Sequence, residues 1–172
     1  MAHDEENPQQ SENRRLGNPP PVIVKFFDDF GPRPRRVLDF GCGQGRNTLF
    51  IAGLGHEVVA VDRSIRAIRD ISAITDLEGL NIRVEIGHIY SFEPDGLFDV
   101  ILIDRSFLPM SEYDRLRVFY KLIDHVLVGG WVLIEEGKGD LDNFRQILND
   151  NEAPWLIDKL EDGYLFASRL AD

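Results

Sequence analysis

Cysteine is nearly missing from this chain, with Cys42 the only one among 172 residues. An internal disulfide is therefore excluded, which fits a reducing compartment. Long apolar runs are missing as well. No window approaches the roughly 18 to 20 continuous apolar residues of a membrane-spanning helix. The amino end opens with acidic and amide residues where a secretory signal would be basic and then apolar. The expectation is a soluble, cytoplasmic protein with no membrane partner. Basic residues are scarce: 19 Lys and Arg stand against 30 Asp and Glu, a formal charge of −11. An extended nucleic acid needs a basic stripe to displace its counterions, and none is present, so no such partner is expected. His3, His56, His88 and His125 share no metal-ligand spacing, and no CxxC or HExxH accompanies them. No metal is expected.

What is present is enough apolar material, 43% of residues, for one domain with a sizeable core. The first twenty residues are polar and end in a proline run that continues to Pro21. They predict a loosely attached arm over 1–21, leaving a single domain over 22–172. Residues 22–30 read as a short helix whose Phe26, Phe27 and Phe30 face the core, ended by GPRP at 31–34.

From there strands and helices alternate. Strands are predicted at 36–40, 57–61, 82–86, 98–103 and 131–134, the fourth a continuous apolar run of the kind buried on both faces of a parallel sheet. Helices are predicted at 46–54, from Ser64 to about 77, and from a Ser111/Asp114 capping box through Leu127 to a stop at Gly129 and Gly130. A further helix at 141–148 precedes a hairpin, 155–160 and 164–169, around the turn-like 161–163. Five alternations with short connections predict a three-layer α/β sandwich with a mostly parallel sheet.

The chemistry is concentrated in VLDFGCGQGRN, residues 37–47. Gly41, Gly43 and Gly45 permit a tight turn and close approach of a ligand to the backbone, and the helix that follows offers unpaired amides. Asp62 ends the second strand about twenty residues later, placed to accept from ribose hydroxyls. These positions describe a pocket for an adenosine-containing cofactor, either NAD or S-adenosylmethionine (SAM). The spacing is G-x-G-x-G, the position three after Gly43 is Arg46, and Asp39 precedes the first glycine by two residues. A carboxylate there would repel a pyrophosphate, whereas it suits the sulfonium and ammonium end of SAM.

The stretch VLDFGCGQGRNTLFIAGLGHEVVAVDRS closely resembles the first two motifs of class I, Rossmann-like, SAM-dependent methyltransferases. Its GRN and GHEVVAVDRS wording is most similar to the tellurite-resistance methyltransferase branch. The resemblance continues through FDVILI at 98–103 and GGWVLIEE at 129–136. It implies a seven-stranded sheet with an antiparallel last strand, and methyl transfer with S-adenosylhomocysteine (SAH) as the product. It also implies roles. Asp39, Phe40, Gly41, Cys42, Gly43 and Gly45 would line the methionine part of the cofactor, with Arg46 and Asp104 also counted as cofactor-binding. Asp62 would hold the ribose, with Arg63 at the adenine edge. Relatives place an acid after the third strand to meet the adenine amino group; this chain has His88 there, followed by Ile89.

Asp104 and Arg105 follow the fourth strand, where relatives face the transferred methyl group, and are the candidate catalytic residues. Two readings of Asp104 stand: it orients or deprotonates an acceptor, or it caps its own loop. Arg105 pairs either with a substrate carboxylate or with one of the chain's acids. Cys42 is expected to pack rather than react. About six residues after the fifth strand and seven after the fourth leave little room for a lid. An open site of this kind suits a small acceptor such as a thiol, a chalcogen species or a small amine, or a substrate presented by a macromolecular partner. The changed residue at 88 and the missing base keep a second reading in play, an accessory protein that binds SAM or SAH without turnover.

Overall fold

The computed structural model describes residues 17–31, 33–107 and 110–171. The predicted arm, with Arg14 and Arg15, falls outside the described residues up to position 16. Helix α1 (Pro21–Asp29) begins at a proline, whose fixed φ suits the first helical turn and whose missing amide costs nothing there. Strand β1 (Arg36–Phe40), helix α2 (Arg46–Gly53), strand β2 (Glu57–Asp62), helix α3 (Ile65–Glu78) and strand β3 (Ile82–Ile86) follow. Next come β4 (Phe98–Asp104), α4 (Glu112–Ile123), β5 (Val126–Glu135), α5 (Lys138–Asp150), β6 (Trp155–Glu161) and β7 (Tyr164–Arg169).

The seven strands form one sheet in the order β3-β2-β1-β4-β5-β7-β6. The first five run parallel, and β7 lies antiparallel between β5 and β6. Alternation along each strand sends side chains to two cores. Leu38, Phe40, Ile101 and Ile103 pack with Phe119 of α4 and Phe144 of α5 on one face. Val37, Val100, Leu102 and Leu133 pack with Ile23 and Phe27 of α1 and Ile51 of α2 on the other. Phe26 sets its ring edge-on against Trp131 at 5.4 Å and Phe166 at 5.7 Å.

Two local expectations change. The fourth helix ends at Ile123, and Leu127, Gly129 and Gly130 lie inside β5. Pairing with β4 wins over helical periodicity there: Phe98 aligns with Val126 but Val100 with Trp131, so β5 carries extra residues in a bulge. Gly129 adopts φ +77°, and a Cβ on Gly130 would sit 2.8 Å from the Asp99 carbonyl oxygen, so the glycine pair shapes a strand rather than stopping a helix. After β5 the helix starts at Lys138, because Asp140 N and Leu141 N already bond to the Gly137 carbonyl. That connection is two residues long, not six. No helix among the described residues is long and apolar enough to cross a membrane.

Candidate functional site

Strand order reverses between β1 and β4, one connected leftward to β2 and the other rightward to β5. Open parallel sheets leave a crevice at such a point, beyond the carboxyl ends of the strands. Here that crevice is a cleft of about 310 Å³. Asp39, Gly41, Cys42, Gly43, Gln44, Arg46, Asn47, Asp104 and Arg105 line it.

The glycine loop is fastened to β2. Gly41 N and Cys42 N both donate to the Val61 carbonyl, at 2.8 and 2.9 Å. Gly43 N donates to Asp62 Oδ2 at 3.0 Å, and Ser64 N to Asp62 Oδ1 at 2.7 Å. Each glycine answers a different demand. A Cβ on Gly41 would collide with Ser106 Oγ, and one on Gly45 would lie 2.7 Å from Ile71 Cγ1. At Gly43 it would meet nothing within 4 Å, so this stretch of backbone is open to a ligand.

Asp39 is 1% exposed and accepts from Thr48 Oγ1 at 2.6 Å. Burial raises its pKa to about 7, against the lowering effect of Thr48. Burial also pushes the Cys42 thiol far up, with Asp39 adding to it, so the thiol stays protonated and unreactive. Asp104 takes two donors on one oxygen: Arg46 Nη2 at 2.6 Å and Asn47 Nδ2 at 2.7 Å, both at Oδ2. Asn47 is 5% exposed, and its Oδ1 has no hydrogen-bond partner. Gly17 lies against the Arg46 stem, its Cβ position 3.9 Å from Cδ.

Beyond Asp104 a polar row crosses three strands. Asp104 aligns with Glu135, and Glu135 with Tyr164. Arg105 holds a left-handed φ of 51°, donates its backbone N to the Glu135 carbonyl at 2.9 Å, and sends its guanidinium to the Glu135 carboxylate. The guanidinium therefore pairs with one of the chain's own acids while its side chain stays 66% exposed at the cleft. Burial and the neighbouring Glu135 push the Tyr164 phenol up to about 12. Glu136, the residue after β5, accepts from Phe107 N at 3.0 Å, and burial raises its carboxyl above the usual range.

The other sequence-derived positions lie outside the lining. The Phe40 side chain is in the core, and only its carbonyl faces this region, accepting from Ser106 Oγ. Ile89 is a core residue. Arg63 and His88 are exposed, and His88 lies over Tyr90 with ring centroids 5.0 Å apart. Gly87 N bonds to the Asp62 carbonyl at 3.1 Å, so His88 follows closely on the tip of β2. Sequence reasoning missed Asn47, Glu135 and Tyr164. The acid ending β5 occupies the same place as Asp104 at the end of β4, and that parallel was available in the sequence.

A family model described as tellurite resistance protein TehB matches residues 32–143. The chain belongs to this TehB family. The probable SAM-dependent methyltransferase TehB of Haemophilus influenzae is 31% identical over 101 residues, 59% of this chain and 35% of that protein. The match thus spans about a third of that relative's length. The crystal structure of TehB from Haemophilus influenzae superposes with a TM-score of 0.70 at 20% identity, covering 89% of this chain and 63% of that one. Coclaurine N-methyltransferase, in a structure bound to N-methylheliamine and SAH, gives a TM-score of 0.55 at 25% identity over 66% of this chain and 35% of that one. The architecture is the class I SAM-dependent methyltransferase fold, shared with the TehB family.

Proposed function

We propose that this protein is a SAM-dependent methyltransferase acting on a small acceptor in the cytoplasm: a thiol, a chalcogen species or a small amine. The observation that carries the reading is the glycine loop, tied to the Val61 carbonyl and to Asp62 and opening at Gly43 onto the β1/β4 cleft.

The residues present fit the cofactor. Each Asp62 oxygen accepts one amide and keeps a second lone pair, which two ribose hydroxyls can use. Asp104 brings a carboxylate to the cleft, and Asp39 a carboxyl whose ionisation a neighbouring cation would favour. When bound, SAM supplies an electrophilic methyl group on a sulfonium. Asp39 and the glycine loop would surround the methionine part, and Asp104 and Arg105 would border the acceptor side. Tyr164 and Glu135 would complete that border with a phenol and a carboxylate that orient a polar acceptor. His88 would lie beside adenine, where an imidazole nitrogen can accept one hydrogen bond. The −11 charge favours a small acceptor over a nucleic acid.

Calorimetric titration with SAM, SAH and NAD tests the cofactor class. Micromolar binding of the first two and none of NAD is expected; folded protein that ignores SAM and SAH would end the proposal. Product analysis with candidate thiols, chalcogen oxyanions and amines then separates an enzyme from an accessory protein that binds without turnover.

A further inference from the structure

Strand β3 ends the sheet among the described residues, with β2 on its inner side. An edge strand carries amide and carbonyl groups that pair with nothing in their own sheet, and proteins blunt such edges with bulges or charge. The opposite edge is blunted by a bulge: β6 shifts register with β7 between Ile157 and Lys159. Strand β3 instead keeps an unbroken register with β2, from Ile82 opposite Val58 to Ile86 opposite Asp62. Its backbone phase follows from the hydrogen bonds at its two ends. Val58 N donates to the Asn81 carbonyl and Gly87 N to the Asp62 carbonyl, so residues 81, 83, 85 and 87 turn their polar groups to β2. Val84 and Ile86 turn theirs outward, as does the carbonyl of Ile82, whose amide is held by the Leu80 carbonyl.

The residues of this edge are Ile-Arg-Val-Glu-Ile, which reads the same in reverse except that the two charges change places. Antiparallel pairing about Val84 turns one copy against another and sets Arg83 opposite Glu85 on both sides of the axis. We propose that β3 is a docking edge for a second copy of this chain, paired antiparallel about Val84. The outward groups have the phase this register needs. Val84 exchanges hydrogen bonds with Val84 of the second copy, and Ile86 N donates to the Ile82 carbonyl across the axis. Arg83 and Glu85 then fall at the pairs without hydrogen bonds, where facing side chains come closest. Both are accessible, with side chains 46% and 35% exposed, and they already meet within the chain at 2.9 Å. Arg83 also reaches Asp95 at 3.3 Å, so the two copies join their ion pairs into one row. On the other face Ile86, 59% exposed, comes beside Ile82, which packs against the core that α1 and α2 cover. The paired strands run in opposite directions, so the clefts beyond the carboxyl ends of the two sheets face away from each other and stay open. Such a contact is isologous and closes on itself, giving a dimer rather than a fibre. It depends on no ligand and stands apart from the adenosyl reading.

Sedimentation equilibrium on the full chain is expected to show a concentration-dependent dimer. Arg83→Glu and Glu85→Arg each oppose like charges on both sides of the axis, and each should weaken self-association at least about tenfold, about 1.4 kcal/mol. Mixed together, the two variant chains oppose unlike charges again and should form a mixed dimer. Val84→Pro removes the amide that faces the second copy and leaves the β2 side of the strand untouched, so it should also weaken the dimer at least about tenfold. Near-UV circular dichroism shows which variants are folded. An unmodified protein that stays monomeric up to millimolar chain concentration overturns the proposal. A dimer that persists undiminished in both folded charge reversals, or in folded Val84→Pro, overturns the assignment to β3. Charge-reversed chains that stay monomeric when mixed overturn the pairing about Val84.

Discussion

The amide of Gly43 rests on the carboxylate of Asp62, 3.0 Å away, and so ties the middle of the glycine loop to the tip of the neighbouring strand. The same carboxylate takes Ser64 N at the start of α3. Asp62 thus has a structural role of its own, joining the glycine loop to the start of α3. Asp62→Ala is expected to lower stability by about 1–3 kcal/mol through the loss of two hydrogen bonds, and to weaken SAM at least about tenfold. Chemical denaturation and calorimetry read the two effects separately. Unchanged SAM affinity in the folded variant places the ribose elsewhere.

Gly41 and Gly43 both have positive φ, +77° and +54°, yet only Gly41 is crowded. Gly43→Ala should cost about 1–2 kcal/mol from backbone strain. Gly41→Ala should cost clearly more, because the new Cβ must displace Ser106 and its hydrogen bond to the Phe40 carbonyl. Equal shifts in denaturant midpoint for the two variants would contradict this ordering.

Asp39 has a folded-state pKa of about 7 against an ordinary 3.8. A carboxyl whose pKa is raised on folding contributes stability that is fully present below pH 3.8 and is lost as pH rises through about 7. Asp39→Asn removes that contribution to the slope. The unmodified protein should therefore lose stability relative to the variant over this interval, measured as the difference between their unfolding free energies at matched pH. Parallel profiles would show that Asp39 ionises as freely in the folded state as in the unfolded one.

Arg105 keeps a left-handed backbone that a non-glycine residue adopts at a cost of about 1 kcal/mol. Arg105→Ala and Arg105→Gly both lose the ion pair with Glu135, but only glycine relieves the backbone. The glycine variant should be the more stable of the two by about 1 kcal/mol. Equal thermal midpoints would mean that this turn relaxes to negative φ once the ion pair is gone.

The alternating strands, the glycine turn and the antiparallel hairpin were legible because each has a local cause: apolar runs, left-handed glycines, and a turn between two short strands. Gly129 and Gly130 misled because a glycine pair ends helices and bulges strands alike, and only pairing with β4 decides between them. Lys138 and Gly139 look like loop and form the first turn of α5. Asn47 could not be singled out, since its importance lies in one unpaired oxygen beside Asp104, 57 positions away. Glu135 and Tyr164 meet through register across β5 and β7, which no single-strand pattern encodes.

The placement of β7 between β5 and β6 also sets an order of events at synthesis. Strand β6 is made before β7, the strand it pairs with, whereas β5 pairs with β4 on its other side. In the sheet, β7 supplies the hydrogen-bonding partner both of β6 and of the β5 edge that ends at Glu135. Arrival of β7 closes both edges at once and brings Tyr164 against Glu135. The contact of Tyr164 with Glu135 therefore forms only after β7 has been made, and so after the residues of the glycine loop have been made.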